Sequence, residues 1–180
     1  MGVLGRALAG ALLCGSAGTA VWAQDTAAPI PAPRATAQQQ FDAATLLTEQ
    51  GRFAEAVNAW TALEARLAKS PRTLSVVRLR KGSALLNLGR LEEAAAVTAK
   101  GLDTLPAGDA SLHADRYLGL VTMALIERAA LDYAGAAEHM AAAFAIAPTP
   151  QDKLDMQTAH VEVLTFVDPA AALAEVPALL

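Results

Sequence analysis

The feature that most constrains this chain is a turn-and-stripe pattern that occurs three times. Gly51-Arg52-Phe53-Ala54-Glu55-Ala56, Gly89-Arg90-Leu91-Glu92-Glu93-Ala94 and Leu131-Asp132-Tyr133-Ala134-Gly135-Ala136 align with one another. Each has a large apolar residue followed three positions later by alanine. The register continues as Phe53, Ala56, Trp60 and Leu63, as Tyr133, Ala136, Met140 and Ala143, and more weakly as Leu91, Ala94, Thr98 and Gly101. Spacings of three and four residues set each group on one face of a helix. Pro106 and Pro148 each follow their turn residue, Leu91 or Tyr133, by fifteen positions and stop the helix at the same place. Upstream of the turns, Ala44 and Leu47, Gly82 and Leu85, and Ala124 occupy matching positions on a preceding helix. Small residues there let two helices approach closely. Such a pair buries its apolar faces only by stacking on the next pair.

Composition agrees with an all-α chain. Alanine and leucine dominate, aromatic residues make up 4%, and no run of strand-forming residues interrupts the pattern. A fourth, degenerate copy is expected after Pro148. Thr149-Pro150 and Asp168-Pro169 both have a capping side chain ahead of a first-turn proline. Pro169, Ala172, Val176 and Leu179 repeat the stripe spacing. The expectation is therefore eight helices in about four antiparallel pairs. The last stretch, 169–180, is nearly uncharged, which suits docking to a partner, self-association into a homo-oligomer, or a chain shorter than its relatives.

These residues resemble the tetratricopeptide repeat family over 38–148, and more weakly over 151–180. The resemblance implies an antiparallel helix-pair solenoid. It departs from the family in spacing: Phe53 to Leu91 spans 38 residues and Leu91 to Tyr133 spans 42, against a period of about 34. The extra residues are expected in helices or junctions. Glu127 stands where Leu47 and Leu85 stand in the earlier copies. In the family, the first helix of each pair lines a groove that holds a protein or peptide. The resemblance carries that role to Thr45, Glu49, Arg80, Ser83, Asn87, Thr122 and Arg128. A Lys/Asn clamp for a terminal carboxylate is not implied, because its positions hold Phe41, Thr45, Leu79 and Arg80.

The N-terminus has one positive charge, Arg6, an apolar stretch from Ala7, and Val21-Trp22-Ala23 with small residues at the first and third of those positions. This is the arrangement of a secretory signal, with cleavage expected after Ala23 and export to the periplasm or beyond. An uncleaved anchor would need about 20 predominantly apolar residues, and Gly10, Gly15, Ser16, Gly18 and Thr19 dilute this one. Cys14, the one cysteine, follows the bulky Leu13, which disfavours lipid attachment. Residues 24–37 read as a tether, since Pro29, Pro31 and Pro33 disfavour helix. Removing 1–23 takes away Arg6 and moves the formal charge from −4 to −5, a poor match to nucleic acid.

Catalytic motifs are missing from the sequence. His113 with Asp115, and His160 with Glu162, sit two residues apart, so within a helix they point about 200° from each other. No metal-ligand spacing, nucleophile elbow or phosphate loop is present, and no cofactor is expected. Glu92-Glu93 and Asp152/Asp155 lie near helix N-termini, where the macrodipole favours acidic groups. Arg66, Lys69, Arg72, Arg78, Arg80 and Lys81 form a run without an acidic residue, read as solvated surface or as a basic patch for an acidic partner. The leading expectation is a non-enzymatic interaction module that binds a protein partner outside the cytoplasm. A self-associating assembly component is the alternative, and a hydrolase assembled across helices ranks below both.

Overall fold

A computed structural model describes residues 35–106 and 108–176. The expected signal at 1–23, tether residues 24–34 and the C-terminal residues 177–180, Leu179 among them, lie outside the described residues. Within them the chain is all-α. Eight α-helices run in order: α1 (Ala37–Glu49), α2 (Phe53–Arg66), α3 (Pro71–Asn87), α4 (Leu91–Thr104), α5 (His113–Ala129), α6 (Tyr133–Ala145), α7 (Pro150–Val167) and α8 (Pro169–Glu175). Each packs on the next, and α3 also packs on α5. No helix among the described residues is long and apolar enough to cross a membrane.

The three aligned turns share one backbone solution. Arg52, Arg90 and Asp132 donate their N–H to the carbonyls of Leu47, Leu85 and Glu127, five residues back. The residue before each donates to Thr48, Leu86 or Arg128. This pair of bonds is the Schellman arrangement, and it requires a left-handed residue between the helices. Gly51 and Gly89 fill that place at φ 72° and 71°, whereas Leu131 fills it at φ 66°. An L-residue with a side chain is disfavoured there by about 1 kcal/mol or more. The third turn has a compensating feature, since the Asp132 side chain accepts the N–H of Gly135 as a helix cap. The first two turns have no such cap and instead carry Arg52–Glu55 and Arg90–Glu93 ion pairs.

The helix stripes are buried as their spacing requires. Ala56, Trp60, Leu63, Ala94, Ala136 and Ala143 are fully buried, and Met140 nearly so. The pairs α1–α2, α3–α4 and α5–α6 run antiparallel. Phe41, near the start of α1, meets Trp60, in the second half of α2, edge to face. Ser75 bonds Thr104 at 2.9 Å across α3–α4. A Cβ at Gly82 would collide with the Thr98 hydroxyl, so glycine sets how closely α3 and α4 approach. Leu79, fully buried, reaches between Gly101 and Gly119, and its Cδ2 lies 2.7 and 2.9 Å from where their Cβ atoms would be. This one leucine knits α3, α4 and α5.

The unequal spacing of the copies has a single source. Helices α2 and α4 both have 14 residues, and α3 and α5 both have 17. The α2–α3 junction is residues 67–70, but the α4–α5 junction is 105–112 and contains a 3₁₀ turn, Ala110–Leu112. The extra length thus lies in a junction and not in a helix. Asp109 caps that turn by accepting from the N–H of Ser111, and Arg116 holds the junction through the Leu105 and Pro106 carbonyls. Ala37, assigned to the tether by sequence, is already helical, with Thr36 and Gln39 forming a capping box.

Candidate functional site

Helices α3 and α5 lie side by side and run parallel: Arg72 meets Ser111 near their starts, and Arg80 meets Asp115 one to two turns on. Between the C-terminal part of α3 and the stretch of α5 from Leu118 to Ala129 opens a groove of about 640 Å³. Its floor is Leu86, Leu118, Val121 and Leu125. Ser83, Asn87, Thr122 and Arg128 complete the lining with Ala129. Among the described residues that line it, Arg128 is the only charged one. The guanidinium is half-exposed, and its nearest carboxylate, Glu162 of α7, is 3.9 Å away.

Of the seven residues assigned to a groove by sequence, four share this one. Their polar atoms are not equally open. Thr122 is buried and donates its hydroxyl to the Leu118 carbonyl at 2.7 Å, and Asn87 donates its amide to the Ser83 carbonyl at 2.8 Å. The other three, Thr45, Glu49 and Arg80, line a separate cavity of about 70 Å³ with Thr48 and Trp60. Thr45 donates to the Phe41 carbonyl. Arg80 pairs with Asp115 at 3.0 Å, while its Nε is buried without a partner. Of the clamp positions, Leu79 is fully buried in the packing, and Phe41 packs on Trp60 while lining a separate cavity of about 310 Å³ with Gln38, Arg72, Thr73, Val76 and Leu112. The apolar floor was missed by sequence. Its signal was a second apolar line on α5, Leu118, Val121 and Leu125, beside the buried one.

The cationic run from Arg66 to Lys81 is not a free basic patch. Arg78 and Lys81 of α3 both grip Glu64 of α2, at 2.9 and 3.1 Å, Arg72 pairs with Asp109 at 3.0 Å, and Arg66 bonds Gln40 and the Ala35 carbonyl. Apart from the exposed Lys69, the cations of this stretch reach across to other elements. Burial alone would raise the Glu64 carboxyl, but hydrogen bonds from Arg78 and Lys81 outweigh it and hold the group below the usual carboxylate range.

Two histidines also link helices. His139 Nδ1 lies 2.8 Å from Glu127, and His160 Nδ1 lies 3.1 Å from Glu175 of α8. Sequence had weighed His160 against Glu162, two positions on, and passed over Glu175. Burial pushes Glu127 above its ordinary range despite His139, and the nearby Asp132 and Glu138 carboxylates add to the shift. Tyr117 is raised too, chiefly by burial and then by Asp152. Among the described residues no group of three or more His, Cys, Asp or Glu side chains is placed to hold a metal ion. His160 and Glu175 line a cavity of about 290 Å³ with Ala141, Phe144 and Gln157.

No protein-family model matches this chain, and no curated protein or solved structure matches it either.

Proposed function

We propose that this chain is a non-enzymatic interaction module of the tetratricopeptide kind, exported from the cytoplasm, whose α3–α5 groove holds a segment of a protein partner. The observation that carries the reading is the groove itself. It is an open apolar trough of about 640 Å³ between two parallel helices, with one loosely paired arginine on its lining. Concave sites of this kind, mostly apolar with few polar groups, are where ligands gather. An extended or helical segment with apolar side chains fits the leucine and valine floor, and an acidic group on it would meet Arg128.

The test is selection of displayed peptides on the purified chain, followed by crosslinking from a photoreactive residue at Val121. Selected peptides should crosslink there and lose binding in Leu125→Asp and Arg128→Glu. Peptides that bind equally well to both variants would remove the groove reading. Arg80 is unsuited to such a test because its reversal would set two carboxylates against each other at Asp115. The export part predicts that a chain recovered from the cell envelope begins at Gln24.

A second reading, self-association, draws on the C-terminal helices. Leu173 is 74% exposed and Phe166 67% exposed, though Phe166 stacks on Tyr133 at 4.5 Å. Sedimentation decides it. A monomer at high concentration would dismiss assembly through 169–180.

A further inference from the structure

We propose that the occupant of the α3–α5 groove is an amphipathic α-helix of the partner, lying antiparallel to α3 and α5 with an acidic first turn over Arg128. This rests on the groove reading above and gives the partner a shape, a direction and a charge.

The apolar lining is spaced for a helix. Leu118, Val121 and Leu125 of α5 are half-buried and lie three and four residues apart. Their steps along the axis are about 4.5 and 6 Å, at 1.5 Å per residue. Leu86 of α3 adds to the same floor. A docked helix offers one apolar knob per turn, about every 5.4 Å. A strand offers one on the same face about every 6.6 Å. The helix keeps step with the floor, whereas the strand falls out of step by about 1.3 Å at each knob. Two packed helices also leave a furrow that a third can fill, with its anchors at i, i+3, i+4 and i+7.

Direction follows from the parallel run of α3 and α5. Their C-termini, near Asn87 and Ala129, lie at one end of the groove. Each carries the negative end of a helix macrodipole, about half an elementary charge. A third helix is favoured with its positive N-terminus at that end, antiparallel to both. Arg128 is the basic residue in the last turn of α5, and the last turn of α3 has none.

The charges around the groove set the sign of that first turn. The Arg128 side chain is 44% exposed, and its contact with Glu162 is loose, at 3.9 Å. Acidic side chains are favoured in the first turn of any helix. The partner's own helix and the pull of Arg128 therefore ask for the same residue. Glu162, with 66% of its side chain exposed, is then a competitor that the incoming carboxylate displaces. Towards the other end, Arg80 and Asp115 pair at 3.0 Å and balance each other.

The experiment is fluorescence anisotropy of three labelled peptides of about 18 residues with the full chain. The first has leucines at i, i+3, i+7 and i+10 and two glutamates in its first turn. The second has leucines at i, i+2, i+4 and i+6. The third is the first sequence reversed, with the glutamates last. A hydrocarbon staple on the polar face keeps the first and third equally helical. The first should bind about tenfold more tightly than the second and about threefold more tightly than the third. Glu162→Gln should tighten the first about threefold, and Arg128→Glu should abolish its lead over the third. A nitroxide at its N-terminus should broaden the Ala129 amide more than the Ser83 amide. Preference for the second peptide, lost in Leu125→Asp, would overturn the helix and leave the groove reading intact. Should Leu125→Asp fail to fold, crosslinking at Val121 locates the peptide instead. No binding of the first by about 1 mM would overturn the helix as well. Equal binding of the first and third, or weaker binding in Glu162→Gln, would overturn the direction and charge. Binding of every peptide away from Val121 would remove the groove reading and this proposal with it.

Discussion

Glu127 and His139 meet at 2.8 Å across the α5–α6 interface, at the turn position that the two earlier copies fill with Leu47 and Leu85. The carboxyl is mostly buried, with 17% of its side chain exposed, and burial raises it above the ordinary range. A raised acid is favoured by the fold when protonated and penalised when ionised. The penalty is absent below the unfolded carboxylate range and grows as pH rises through the folded value. Replacing the pair by Glu127→Leu with His139→Leu should stabilise the protein by about 1 kcal/mol at pH 7. Urea melts should show a smaller gain at pH 4.

Glu64 carries the opposite sign. Its carboxyl is lowered, so its stabilisation is present above the unfolded carboxylate range and is lost as pH falls through the folded value. Glu64→Gln would leave Arg78 and Lys81, whose side chains are 12% and 15% exposed, without their shared anion. The expected cost is about 2 kcal/mol at pH 7, below the range for fully buried pairs because Glu64 is itself partly exposed. Denaturant titrations should show the difference from the parent shrinking in acid.

Leu131 holds a left-handed turn with a side chain that is 70% exposed. Leu131→Gly should raise stability by about 0.5–1 kcal/mol, the backbone relief being partly offset by the greater freedom of glycine when unfolded. Asp132→Ala should lower it by about 1 kcal/mol through loss of the cap on Gly135. Thermal melts of the two single variants check both signs.

Gly82 and Thr98 define the α3–α4 contact. Gly82→Ala drives a methyl into the threonine hydroxyl and should cost about 2 kcal/mol. Thr98→Ala should recover at least about 1 kcal/mol of that in the double variant. The Thr98 hydroxyl is itself buried without a partner, so Thr98→Val should be neutral or slightly stabilising. A double-mutant cycle with no coupling would contradict the contact.

The parts of this molecule legible in its sequence are those set by short-range periodicity. Phe53, Ala56, Trp60 and Leu63 announce a helix face because 3.6 residues make a turn. Gly51 and Gly89 announce turns because few other residues tolerate positive φ. Ser83, Asn87, Thr122 and Arg128 are grouped by the family resemblance and not by periodicity, and they line one cavity between α3 and α5. What escaped reading depends on partners distant in the chain. Asp109, Asp115 and Glu64 turn the Arg66–Lys81 run into ties between helices, and Glu175 orients His160 from another helix. The 105–112 junction escaped because a spacing of 42 residues does not say which segment is longer.

The division of the core has a further consequence. One buried cluster gathers Ala44, Trp60, Leu85 and Ala94 with Ile126, and another gathers Ala124, Met140 and Val163. A small third cluster, Leu79, Leu105 and Leu112, holds the longer junction between them. Helices that lean mainly on their sequence neighbours open in segments more readily than a body with one shared core. The backbone amides of α6–α8 should therefore exchange with deuterium at lower free energies than those of α2–α4. Leu79→Ala should widen that gap by severing the cooperative link between the two halves.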